Sequence, residues 1–221
     1  MAAVGARATA GCVRDDGLSE VPSPVPARSL APFLLLVAAW LIVTFFLWWV
    51  ATPILAWPVT ILSQLVTRIG FGDLVQSVEQ HGEMITFVTS VRPAGAAIVA
   101  GVKAVLEVQS NVRLFSFGLP LLAAMILATR EPHPLRNLVA GYAVLVPCQT
   151  FSVVADFLNS LASEPGVAAQ LGFGAFQGET LAFSYQFGTL ILPTVAPAIV
   201  WVLMHRRFLE RFSAAPPPAA K

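Results

Sequence analysis

The residues with the most chemical reach in this 221-residue chain are two cysteines and three histidines. Their spacing gives them no common task. Cys148 stands inside an apolar run and Cys12 in a polar N-terminal tail, so no disulfide joins them across a membrane topology. His81, His133 and His205 fall at no metal-ligand spacing, and none neighbours Cys148 or Ser152 as a base. The chain has no phosphate-cradling glycine loop and no dinucleotide fingerprint. The sequence therefore predicts no catalytic set, no metal and no cofactor, with Cys148 packing as a small apolar side chain. A competing reading is an intramembrane cysteine or serine protease, or an acyl-transfer enzyme, using Cys148 or Ser152. A small-molecule transporter is a third, weaker one, since no internal repeat of transporter type is visible.

Polar groups inside or beside apolar runs are stronger leads, because they are costly in lipid. Tyr142, Gln149 and Asp156 recur every seven residues, which puts them on one stripe of a helix. Ser152 lies close to that stripe. Arg113, Glu179, Tyr185 and Gln186 fall at the same expected depth. Together Arg113, Gln149, Asp156, Glu179, Tyr185 and Gln186 suit a groove at the outer boundary of a bilayer, shaped for a peptide or a transmembrane segment. The same residues equally suit helix-to-helix hydrogen bonding and interfacial snorkelling. Either way, an Arg113–Asp156 ion pair is expected.

The elements that must hold these residues follow from composition. Apolar residues make up 57% of the chain and Asp, Glu, Lys and Arg only 11%, against about a quarter in soluble domains. That excludes a soluble enzyme or a disordered adaptor, and a net charge of +1 gives no attraction to nucleic acid. Four apolar runs predict transmembrane helices at 32–57, 114–129, 137–156 and 183–204. The first is too long and too bulky at its far end for a signal peptide. The second is the shortest and needs residues 111–113 or local bilayer thinning to cross.

With four spans, both termini share one side. That side holds Arg7, Arg14, Arg28, Arg130, Arg136, Arg206, Arg207, Arg211 and Lys221, and the other only Arg68, Arg92, Lys103 and Arg113. The excess of positive charge predicts cytoplasmic tails at 1–31 and 205–221 and a cytoplasmic turn at 130–136. Segments 58–113 and 157–182 then lie outside.

Within the first external segment, Thr60, Ser63, Gln64, Thr67 and Arg68 alternate at helical spacing with Val59, Leu62, Leu65, Val66 and Ile69. This predicts a separate amphipathic helix, Pro58 to Ile69, lying on the outer membrane surface. Period-two runs Val75–Glu79 and Met84–Val91 flank a hairpin turn at His81-Gly82, with Ile85, Phe87, Thr89 and Val91 on one face. Val102, Ala104, Leu106 and Val108 predict a third strand, after a PAGAAIVAG loop. In the second external segment, 162–171 suggests a short surface helix. The expected fold is α-helical membrane, with about four transmembrane helices, an interfacial amphipathic helix and a small extracytoplasmic antiparallel β module.

The order of motifs adds to this reading. FFLWW in the first span is followed by Trp57-Pro58-Val59, VEQHG at 78–82, Asn111 before FGLPLLAA at 117–124, and VPCQ at 146–149. LGFGAFQ at 171–177 then leads into YQFGTLILPTVAPAIVWVLMHRRFL at 185–209. Across most of 33–209 the chain resembles the exosortase H-associated membrane protein family of bacterial inner membranes. Exosortases are transpeptidase-like membrane enzymes with a Cys, Arg and His set, acting on proteins that carry a C-terminal sorting helix. This chain has no such set at one depth. The resemblance therefore implies a non-catalytic accessory whose partners are an exosortase, the sorted proteins' C-terminal helices and the lipid bilayer, with no nucleic acid. It carries no assigned catalytic residue across.

Overall fold

The structure, a computed structural model, describes residues 30–92 and 105–213, with side chains as far as residue 210. The tail to residue 29, the PAGAAIVAG loop, the expected strand residues Val102 to Ala104 and the last residues 214–221 lie outside the described residues.

The first helix, α1, runs unbroken from Ala31 to Phe71, 41 residues. At 1.5 Å per residue it is about 61 Å long, roughly twice a hydrocarbon core of ~30 Å. The helix thus continues through the boundary expected at Pro58, and the residues expected as a separate interfacial helix are its second half. Pro53 and Pro58 both sit inside the helix. Each lacks an N–H and frees the carbonyl four residues back, those of Trp49 and Ile54. Neighbouring elements satisfy carbonyls around this weakened stretch. The Gln80 amide donates to the Pro53 carbonyl at 2.8 Å, the Tyr142 hydroxyl to Leu55 at 2.6 Å and the Arg113 guanidinium to Trp49 at 3.4 Å.

The far half of α1 is inverted relative to a soluble amphipathic helix. Thr60, Ser63 and Thr67 are buried, whereas Ile61, Leu65 and Ile69 are 52%, 52% and 80% exposed. The threonines tolerate burial because their hydroxyls bond their own helix, Thr60 to Ala56 at 3.0 Å and Thr67 to Ser63 at 2.8 Å.

Those hydroxyls face a three-stranded antiparallel sheet, order β1-β2-β3. Strands β1 (Val75–His81) and β2 (Met84–Thr89) form a hairpin as expected, but its turn is Gly82-Glu83, one residue later than the expected His81-Gly82, because Gln80 and His81 pair with Ile85 and Met84. Gly82 takes the positive φ of 65° that the first position of a two-residue hairpin turn favours in glycine. The alternation of β2 holds: Ile85, Phe87, Thr89 and Val91 are all buried. Strand β3 (Glu107–Asn111) lies later than the expected run to Val108, because the pairing of Met84 with Asn111 draws Ser110 and Asn111 into the ladder.

Among the described residues three helices are long and apolar enough to cross a membrane: α1, Pro134–Ser163 and the continuous helical stretch Ala175–Met204. The expected second span is the shorter stretch Arg113–Thr129. It divides at Phe117 into α2 (Arg113–Ser116) and α3 (Gly118–Thr129). Helix α4 (Pro134–Ser163) outruns its expected end at 156, carrying apolar Phe157 and Leu161 up to the sheet. The expected loop 157–182 thus shrinks to a short helix α5 (Val167–Gln170) and its flanks. Helix α6 (Ala175–Gln186) begins inside the glycine-rich stretch. A wide turn of π-helix, Phe187–Ile191, joins it to α7 (Leu192–Met204). Pro193 explains the wide turn: it cannot donate to Thr189, and its ring crowds that carbonyl. Helix α8 (Arg206–Ser213) occupies the start of the expected C-terminal tail.

Two cores result. One joins the sheet to α1 and α4 through Val59, Ile85, Phe87, Val108, Val153 and Phe157, with the Phe87 and Phe157 rings stacked at 4.3 Å. The other, at the α3–α7 end, gathers Trp48, Leu119, Leu122, Ile126, Leu145 and Trp201.

Candidate functional site

The densest polar constellation lies where the sheet, α1 and α2 converge. Arg113 opens α2, with its backbone N–H bonded to the Asn111 side-chain oxygen at 3.0 Å. Its guanidinium pairs with Glu83 at 2.9 Å and lies 4.2 Å above the Trp49 ring. The buried Nε makes no hydrogen bond. Glu83 sits in the hairpin turn, whose carbonyl accepts from the Val112 N–H at 3.0 Å. Beside them Gln80 uses its whole amide: Nε2 donates to the carbonyls of Pro53 and Gly82, both at 2.8 Å, and Oε1 lies 3.0 Å from the Thr60 hydroxyl, whose one proton is shared between this oxygen and the Ala56 carbonyl.

The expected Arg113–Asp156 pair does not form. Asp156 accepts instead from the buried Ser110 hydroxyl at 2.5 Å. The β2–β3 register explains the exchange, because it sets Glu83 beside Arg113 and turns Ser110 inward onto α4.

The heptad stripe of α4 is real, and each member meets a different neighbour. Tyr142 reaches α1, Asp156 reaches β3, and Gln149 between them is 4% exposed with its Oε1 unpartnered. Gln149 lines a cavity of about 10 Å³ with Phe115, Gly118, Cys148, Ser152, Pro193 and Pro197. That is near the volume of a single water. The Ser152 hydroxyl lies 2.8 Å from the Gly188 carbonyl in the π-helical turn and 3.1 Å from that of Cys148. Cys148 is half-buried, and its thiol lies 3.9 Å from the Val144 carbonyl.

Glu179 and Gln186 are exposed on α6, and Tyr185 is half-buried there. The six expected binding residues therefore occupy three places: Arg113 at the hairpin turn, Gln149 and Asp156 along α4, and Glu179, Tyr185 and Gln186 on α6. Sequence reasoning missed Glu83, Trp49, Gln80 and Ser110. The Gly82-Glu83 turn was a usable signal for Glu83, since it sets the register that leads to Asn111. At the opposite end His205 is buried, with Nδ1 3.1 Å from the Trp201 carbonyl and Nε2 3.6 Å from Glu131.

The geometry is that of a membrane protein with a polar clasp joining a sheet to helices. The family model for exosortase H-associated membrane proteins matches residues 27–208. The chain belongs to that family. In this exosortase H-associated protein the matched stretch takes in α1, the sheet and every helix through α7. It agrees with the resemblance read from the motifs over 33–209. Neither a curated protein nor a solved structure matches the chain.

Proposed function

We propose that this protein is a non-catalytic accessory of an exosortase H protein-sorting system. It sits in the bacterial inner membrane with both termini in the cytoplasm. There it binds the sortase, the C-terminal sorting helix of a sorted protein, or both.

One observation carries this reading: the outward face of α1 stays largely apolar past one membrane thickness, with Gln64 and Arg68 the exposed polar residues near its far end. Ile54, Trp57, Ile61, Leu65 and Ile69 are all exposed along the half of the helix that carries the sheet. An apolar stripe from Ile54 to Leu65 on one unbroken helix suits a partner helix laid alongside it. The Arg113–Glu83–Trp49 clasp at the middle of α1, with Gln80 bonded to Pro53 and Thr60 beside it, ties the helix to the hairpin, so the stripe is presented in a fixed orientation.

The test is co-purification of the tagged full-length chain from native membranes after mild cross-linking. The sortase is expected in the complex, and Ile61→Asp with Leu65→Asp is expected to remove it. A cross-linked complex that never contains the sortase or a sorted protein would refute the proposal.

A further inference from the structure

A lateral cleft opens between α1 and α4, with α3 as its floor. Its volume is about 300 Å³. Leu47 and Ala51 line it from α1, Ala123 and Leu127 from α3, and Leu138 and Val139 from α4. At one end the Tyr142 hydroxyl bridges the two walls by its bond to the Leu55 carbonyl. The lining is apolar apart from that tyrosine and Thr44, whose hydroxyl is already bonded to the Pro120 carbonyl at 2.9 Å.

The other end lies at the turn between α3 and α4, since Leu127 and Leu138 flank that turn. The turn and the first residues of α4 carry Arg130 and Arg136. Both are exposed, and neither forms an ion pair among the described residues. The nearby acid, Glu131, faces His205 instead. Two exposed arginines thus stand within three residues of the cleft's lining at this end.

Size decides between occupants. Along α3, Leu119 to Leu127 spans about 12 Å at 1.5 Å per residue, close to one leaflet of a ~30 Å core. A whole helix ~10 Å across would displace roughly 900 Å³ over that length and does not enter the cleft; it would only cover the opening. A single hydrocarbon chain is narrow enough. An empty cleft would forfeit the dispersion contacts of its lining.

We infer that this cleft holds one acyl chain of an anionic phospholipid, with the phosphate at Arg130 and Arg136. The inference is independent of any sorting partner.

The experiment uses the full-length chain in mild detergent, titrated with phosphatidylglycerol or phosphatidylethanolamine and read by native mass spectrometry. One phosphatidylglycerol per chain is expected to persist where phosphatidylethanolamine is lost. Ala123→Phe and Ala51→Phe fill the cleft from the floor and from one wall. Each is expected to lower phosphatidylglycerol occupancy about tenfold, and either serves if the other fails to fold. Arg130→Gln with Arg136→Gln is expected to erase the preference for phosphatidylglycerol while leaving the chain monodisperse. Equal retention by wild type and a folded cleft-filled variant overturns the inference. So does the absence of any headgroup preference in wild type, or an adduct with the mass of a second copy in place of lipid.

Discussion

Gly118 of α3 rests directly on the carbonyl oxygen of Pro193 in α7. A Cβ at position 118 would collide with that oxygen and stand 2.5 Å from Pro197 Cγ. The carbonyl is free for this contact because Pro197, four residues on, has no N–H to offer it. A Cα–H group of glycine is a weak donor that fits there. Glycine thus lets α3 and α7 approach at the point where α7 is least self-sufficient. Gly118→Ala is expected to cost about 1–3 kcal/mol, the range for overpacking a tight core. Thermal unfolding in detergent reads this directly. Gly178→Ala on α6, where a Cβ meets nothing within 4 Å, is the matched control and is expected to be neutral or mildly stabilising.

The clasp at Arg113 ranks its own interactions. Glu83 and Arg113 are both partly exposed, 29% and 23%, so their ion pair contributes about 0.2–1 kcal/mol. The stack on Trp49 adds roughly 0.5–2 kcal/mol by its cation–π character. Arg113→Ala is therefore expected to lower the melting temperature more than Glu83→Gln. Arg113→Lys is expected to fall nearer to alanine than to wild type, since a lysine ammonium has no flat face to lay on an indole. If Glu83→Gln proves the more damaging change, the ion pair and not the stack is the stronger link of the clasp.

Gln80 bridges β1 to the proline-weakened stretch of α1. Gln80→Leu keeps the bulk and removes all three of its hydrogen bonds. Pro53 stays inside a continuous helix, so its carbonyl loses only the side-chain donor, and the expected loss is about 0.5–1.5 kcal/mol. Hydrogen exchange should report it as faster exchange around residues 53–60 than in the α3–α7 core. Uniform destabilisation without that local signature would show that Gln80 does not support the prolines.

These three cases mark where the sequence was legible. The hairpin was, because Gly82 and the alternation of β2 are local signals. The apolar run at 32–57, the first part of α1, was visible too. Pro58 was misread as a helix start because proline suits a first turn. The donors that let the helix run on come from Gln80, Arg113 and Tyr142, 27 to 87 residues away from the carbonyls they serve, and no local pattern announces them. The start of α6 was hidden by glycines, although Gln177 caps it by accepting from the Gly174 N–H at 2.9 Å. The binding residues were chosen by depth along the chain. Depth does not fix azimuth around a helix, and so Asp156 found Ser110 while Arg113 found Glu83.

Orientation has a direct readout at the hairpin. His81 is exposed next to the turn, and the lysine and arginine distribution predicts that turn outside. In a chain with both native cysteines replaced by serine, His81→Cys is expected to react with a membrane-impermeant thiol reagent in intact spheroplasts. A cysteine at exposed Arg136 is expected to react only after permeabilisation. The reverse pattern would invert the topology and put the apolar stripe of α1 on the cytoplasmic side.

The accessory and enzyme readings part at Cys148 and Ser152. Ser152 has a packing task, since its hydroxyl bonds the Gly188 carbonyl and a Cβ on Gly188 would stand 3.1 Å from that oxygen. Ser152→Ala is thus expected to cost about 1 kcal/mol of stability and is an imperfect probe of chemistry. Cys148 is cleaner, because its thiol makes only a long contact within its own helix. Cys148→Ala is expected to leave both the melting temperature and the processing of a sorted protein unchanged in a deletion strain complemented with the variant. The Ile61→Asp, Leu65→Asp variant is expected to stop processing while unfolding at the wild-type temperature, because both side chains are exposed. Loss of processing in a stably folded Cys148→Ala protein would instead make the thiol a nucleophile and this chain an enzyme.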